Sequence, residues 1–146
     1  MRASRCRAGR TETALSDMGS QSADERGNAM STPKLLLHIE GALVLLATIL
    51  FYRHLRASWL VFALLFLAPD LFMLGYLAGA RIGAVCYNVV HTYLTPAALL
   101  AISLLEAKPV LLPLAIIWIC HIGFDRMLGF GLKYPTRFND THIQHV

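Results

Sequence analysis

The sequence predicts an all-α protein: a four-helix transmembrane bundle, up-down-up-down, preceded by a disordered N-terminal tail. Three observations carry that expectation. Of 146 residues, 56% are hydrophobic and only 15% charged, whereas a soluble domain carries about 25% charged residues. The apolar residues lie in four blocks, each close to the ~20 residues a helix needs to cross ~30 Å of hydrocarbon. Helices are the open-ended elements that satisfy their own backbone in lipid, and four such runs in succession leave too little chain to cover them as a soluble core.

Residues 1–30, "MRASRCRAGRTETALSDMGSQSADERGNAM", are polar and without apolar periodicity, a composition that reads as disorder. They lack the apolar core of a secretory signal. Glu12, Asp17, Asp24 and Glu25 argue against a transit peptide. Met30 opens "MSTPKLLLHIEG" directly before the first apolar run, so translation is expected to begin there, or the tail to be a dispensable extension. Residues 31–146 are read as one transmembrane domain with spans at about 35–52, 59–79, 82–105 and 110–132. The links "RHLRAS", "AR" and "EAKP" are short enough to force each helix antiparallel to the one before. Both ends of the domain therefore fall on one side.

Charge predicts which side that is. Lys34, Arg81, Lys133 and Arg137 lie on the terminal side, against Arg53, Arg56 and Lys108 on the other. The positive-inside rule then places both termini in the cytoplasm of a multi-pass protein of the cell inner membrane. The net charge of +4 is juxtamembrane; no basic stripe with interleaved aromatics points to nucleic acid. The expected partners are the lipid bilayer and, for a transport role, a second copy in a homo-oligomer. Cys86 and Cys120 sit singly in spans three and four, with no CxxC, and read as small packing residues.

The polar residues inside the spans converge on one depth. At 1.5 Å per residue, Glu40, Asp70, Asn88, His91, His121 and Asp125 all fall within roughly 7–16 Å of the terminal-side boundary. The opposite half of the membrane is almost purely apolar. His121 and Asp125 are i and i+4 and share a helix face; Asn88, His91 and Thr95 form a second stripe. His38 and Glu40, two apart, point in different directions, and Glu40, the deeper, is taken as the inward one. Arg126 is about 100° around the helix from Asp125, placed to snorkel or to pair with Glu40. Ionisable residues inside a membrane usually face the bundle interior and mark a functional site; the alternative is a structural hydrogen-bonded network. Asn88 alone reads as a helix–helix hydrogen bond.

Gly75, Gly79 and Gly83 repeat at the spacing that lets helices approach closely. Pro69 directly precedes Asp70, and Pro96 follows His91 and Thr95, so kinks are expected beside both polar positions. Tyr52 and Trp59 read as an interfacial aromatic anchor.

The stretches "LLHIEGALVLLATILFY", "LFLAPDLFMLGYLAG", "YNVVHTYLTP" and "HIGFDRMLGFGLKYPTRFNDTHIQ" resemble a family of small bacterial four-span membrane proteins known as domain of unknown function 4260. The resemblance covers about residues 34–146, with the last stretch the most specific. It implies that Glu40, Asp70, His91, His121, Asp125 and Arg126 lie in family motifs, and it supplies no activity.

Three functions are compatible with this pattern. A metal-dependent membrane hydrolase of lipid-like substrates would use a divalent transition metal held by His91, His121 and Asp125, with Asp70 or Glu40 as base; no HExxH or ExxH pair is present. A proton-coupled transporter subunit would use the same acids and histidines as a relay, though the apolar outer half offers no second polar step. In the third, the layer is structural, with Asn88 and Arg126 as hydrogen-bond and charge partners. No P-loop or dinucleotide fingerprint occurs.

Overall fold

The computed structural model describes residues 31–135 and 141–145. The tail expected to be disordered, the Met30 start and Arg137 lie outside the described residues. The chain forms four apolar helical spans, Thr32–His54, Trp59–Ala78, Ala80–Leu105 and Leu111–Leu128, each long and apolar enough to cross a membrane. Outward positions are leucine, valine, isoleucine and phenylalanine, with Leu77 88% and Leu105 86% exposed, as a lipid-facing surface requires.

The first span is one uninterrupted helix, α1 (Thr32–His54), about 34 Å long at 1.5 Å per residue. Pro33 sits in its first turn, where a missing N–H breaks no helical bond. The second span changes character midway. It begins as α2 (Trp59–Phe66) behind the Ser58 N-cap and continues as a 3-10 segment, Ala68–Ala78. Pro69 causes the change: it has no N–H to give the carbonyl of Leu65, and the Asp70 N–H instead bonds Leu67 O at 3.2 Å. A 3-10 run of this length is uncommon, and Asp70 lies in its first turn.

The third span is also two pieces, α3 (Ala80–Val90) and α4 (Leu94–Leu105). It stops at His91 (φ −100°, ψ 13°) rather than only kinking there. Pro96 then falls in the first turn of α4, a position that tolerates it. The fourth span is α5 (Leu111–Leu128), which ends before the apolar run does at Leu132. Gly129 takes a left-handed φ of 87°. Its N–H bonds Arg126 O at 3.0 Å and the Phe130 N–H bonds Asp125 O at 2.8 Å, closing the helix as a left-handed glycine cap does. Beyond the cap, Lys133 makes an antiparallel bridge with Thr141, and a 3-10 turn covers His142–His145.

Helix α5 is the axis of the bundle, packed against α1, α2 and α4, while α3 packs on the 3-10 segment. Helices α1 and α5 approach closely, backbone to backbone. A Cβ on Gly41 would lie 2.5 Å from Met127 N, and one on Gly123 3.0 Å from Leu45 N. Of the glycines spaced for close approach in the sequence, Gly75 and Gly83 do bring the 3-10 segment against α3, where a Cβ on Gly75 would lie 3.4 Å from Gly83 Cα and one on Gly83 would run into the Tyr76 ring; Gly79 does not. Gly79 has open space around it and a φ of 119°, so it serves the turn between spans. In the apolar half, Tyr52 is 1% exposed, packs edge-on against Trp59 and Phe62, and donates its hydroxyl to Ser58 O at 2.8 Å. Tyr52 is therefore core, and Trp59, 51% exposed, is the interfacial partner. The aromatic run continues through Phe62 and Phe66 to His121.

Candidate metal centre

Three of the four spans send side chains to one point. His91 stands where the break after α3 leaves it. His121 and Asp125 share one face of α5, and Asp70 lies at the start of the 3-10 segment. The two imidazoles meet with Nε2 atoms 3.2 Å apart. Asp70 Oδ1 is 3.6 Å from both of these nitrogens, and Asp125 Oδ2 is 3.4 Å from His91 Nε2 and 3.9 Å from His121 Nε2. Both histidine side chains are 2% exposed, Asp125 is 14% exposed and Asp70 43%.

The surroundings orient the first histidine. His91 Nδ1 lies 3.0 Å from Tyr87 O. A carbonyl only accepts, so Nδ1 carries the proton and the lone pair of Nε2 faces the centre. The Tyr87 ring stacks on the His91 ring at 3.7 Å and 10°, and its hydroxyl donates to Asp125 Oδ2 at 3.1 Å. Such outer partners are what fix histidine and carboxylate ligands in metal sites. The second histidine is fixed by packing: His121 lies edge-on to Phe66, and its Nδ1 is buried without a hydrogen-bond partner.

A cavity of about 580 Å³ opens beside the cluster, lined by Asp70, Asp125, Tyr87 and Lys133 and by the apolar walls of Met73, Phe124, Leu128 and Phe130. Lys133 is buried, with its ammonium 4.4 Å from the Tyr87 ring centre and 5.2 Å from that of Tyr76. Burial pushes its pKa down, while Asp125 and Asp70 pull it back up.

The structure brings Asp70, His91, His121 and Asp125 together; Asp70, His91 and His121 each present a ligand atom within 4.8 Å of the other two. It does not bring Glu40 there. The inward stripe of α1 is His38, Gly41, Leu45, Thr48 and Tyr52, at spacings of three and four. It is set by the Gly41 contact with α5, and Glu40 is left exposed about a quarter-turn away. His38 is the inward residue instead, donating Nδ1–H to Met127 O at 2.7 Å. Arg126 does not pair with Glu40: its Nη1 lies 3.3 and 3.5 Å from the ring nitrogens of His142. Among the described residues, Asn88 makes no helix–helix bond. Its amide clamps the backbone of Lys133, donating to Lys133 O at 2.8 Å and accepting from Lys133 N at 2.7 Å. Thr95 bonds Val89 O, away from the cluster, because the span breaks between it and His91.

Tyr87 and Lys133 were not among the sequence candidates. Tyr87 precedes His91 by four residues, a spacing that could have drawn attention to it. Lys133 carries no local signal, since its place depends on the glycine cap and on Asn88.

The fold and the cluster define a class: a four-span helical membrane protein with a histidine–carboxylate centre built between its spans. Within that class the chain belongs to the family described as a domain of unknown function (DUF4260), whose model matches residues 34–146. No curated protein and no solved structure matches the chain.

Proposed function

We propose that the cluster is a divalent transition-metal site and that the protein is a metal-dependent membrane hydrolase of lipid-like substrates. One observation carries this reading. Distances of 3.2–3.9 Å separate the two imidazole nitrogens from each other and from the two carboxylate oxygens. An ion such as zinc, with bonds of about 2.1 Å, has ligand atoms about 3.4 Å apart. Imidazole and carboxylate are also the donors that suit zinc, manganese or iron.

His91, His121 and Asp125 are the ligands, held by burial and by Tyr87. Asp70, the most exposed of the four, would be the base beside a water on the ion. A bound ion lowers the pKa of water. Such an ion would supply a water whose oxygen could add to the electrophilic atom of the substrate while Asp70 took its proton and passed it to the leaving oxygen as the bond to the leaving group broke. The apolar walls of the cavity suit an amphiphile. The basic residues Lys34, Arg81 and Lys133 on the terminal side support an orientation with both termini cytoplasmic in a cell inner membrane, which puts the site in the cytoplasmic half.

The test is the metal content of the full chain, purified in detergent without chelators, beside Asp125→Asn. Wild type is expected to hold about one zinc or manganese ion per chain and the variant none, because an amide is a poor transition-metal ligand. Wild-type protein that holds no stoichiometric metal, and gains no thermal stability from added zinc or manganese, refutes the metal site.

A further inference from the structure

Resting on the metal reading above, we propose that a second, apolar groove beside the cluster seats a hydrocarbon chain of the substrate, so that the substrate is an amphiphile whose scissile bond lies at the head end of that chain. The groove, of about 240 Å³, is formed by Leu65, Ala68 and Phe72 of the second span, Leu99 of α4, and Leu114 and Trp118 of α5. The one polar side-chain atom among them, Trp118 Nε1, is already engaged, donating to Val90 O at 2.7 Å. Nothing in these walls offers a polar ligand a hydrogen bond.

Continuity with the cluster says what the groove holds. Leu114, Ile117, Trp118, His121, Asp125 and Leu128 recur at helical spacing and share one face of α5. The first three line the groove, His121 belongs to the cluster, and the last two line the polar cavity. In the second span, Pro69 and Phe72 line the groove while their neighbours Asp70 and Met73 line the cavity. Along α5, groove, cluster and cavity therefore follow one another from the middle of the bilayer toward the terminal side. An amphiphile has the same order of chain, linkage and head. Leu114 lies about 10 Å from His121 along the helix, room for an extended stretch of chain. Leu65 and Phe72 are 37% and 49% exposed, so the groove opens sideways to the bilayer, and an apolar space of this kind stays dry. Its wall is also tied to the centre. Helix α3 stops at Val90, and Trp118 supplies the hydrogen bond that a continuing helix would have given Val90 O. The indole is thereby fixed against the residue that precedes His91.

Hydrocarbon outside the groove is as apolar as the groove itself, so a chain gains residence there from its head on the ion, and the experiment measures that dependence. Trp59→Phe in the full chain leaves Trp118 as the sole tryptophan. The protein is purified in dodecyl maltoside and loaded with zinc, and its metal content is measured first. The probe is dodecanohydroxamate brominated at mid-chain, whose head chelates zinc and whose bromines quench indole on contact. The control is dodecyl maltoside carrying the same bromines. The hydroxamate is expected to quench most of the Trp118 emission at about one probe per chain, only with zinc present, and the headless control to quench little at equal mole fraction. Filling the groove with Ala68→Phe is expected to weaken the probe by about tenfold or more, while zinc content and acetohydroxamate binding stay as they were. Leu99→Phe repeats the test should Ala68→Phe fail to fold. Emission that stays unquenched by the hydroxamate, quenching by the headless control to the same extent, or unchanged probe affinity in the filled variants overturns this inference and leaves the metal site standing. A chain that takes up no zinc loses the metal reading, and this inference with it.

Discussion

Tyr87→Phe separates a metal site from a structural network more finely than removing a ligand does. The tyrosine touches the cluster in two ways: its ring stacks on His91 at 3.7 Å, and its hydroxyl donates to Asp125 Oδ2 at 3.1 Å. Phenylalanine keeps the stack, and keeps the aromatic face that Lys133 meets at 4.4 Å; only the hydroxyl is lost. Losing an outer-shell hydrogen bond to a ligand costs about 10- to 100-fold in metal affinity, or roughly 1.4–2.7 kcal/mol. The lower end is expected here, because Asp125 is 14% exposed on the cavity and water can take over part of the bond. The assay is competition for zinc between the detergent-solubilised protein and a chelator of known affinity, wild type against variant, with thermal unfolding of both metal-free proteins alongside. A purely structural network predicts a different pair of results: a stability loss of about 0.6–2 kcal/mol without metal, and no metal affinity to change. Zinc bound equally tightly by wild type and Tyr87→Phe would refute the role given to the hydroxyl.

Three further outcomes follow from other parts of the molecule. Gly41→Ala should destabilise the bundle by about 1–3 kcal/mol, since the added Cβ meets the backbone of Arg126 and Met127, which cannot swing aside; an unchanged melting temperature in detergent would contradict the α1–α5 contact. The docked C-terminal segment should loosen on acidification. Burial and Arg126 push the His142 pKa below its ordinary 6.5, and the Leu132 N–H donates to its Nδ1 at 2.9 Å, so the folded state prefers the neutral ring. That contribution is fully present above about pH 6.5 and is lost as pH falls through the depressed value. Hydrogen exchange at Leu132 should accelerate between pH 7.5 and 5.5 relative to its intrinsic rate, and equal protection at both ends would exclude the effect. A reporter fused after Val146 should behave as cytoplasmic, and periplasmic activity there would reverse the orientation.

The sequence by itself determined the solvent and the repertoire. Four runs of about twenty apolar residues require helices in lipid, because no other open element satisfies its backbone there. An acid or histidine inside such a run must turn from the lipid, so Asp70, His91, His121 and Asp125 were legible as one layer from their depth alone. Pro69 and Pro96 showed where the second and third spans depart from regular helix, since a missing N–H acts locally. Rotation about a helix axis was another matter. His38 and Glu40 are two residues apart and both polar, and only the Gly41 contact with α5 decides that His38 turns inward and Glu40 outward. The long-range clamp of Asn88 on Lys133 and the meeting of Arg126 with His142 likewise come from where α5 stops. Gly129 ends it because a left-handed residue satisfies the last carbonyls, although the apolar run continues to Leu132. The tertiary structure thus decided which polar side chains share a centre and which charged one stands beside it. Those distances depend on how helices rotate and pack against each other, and no spacing along a single helix encodes that.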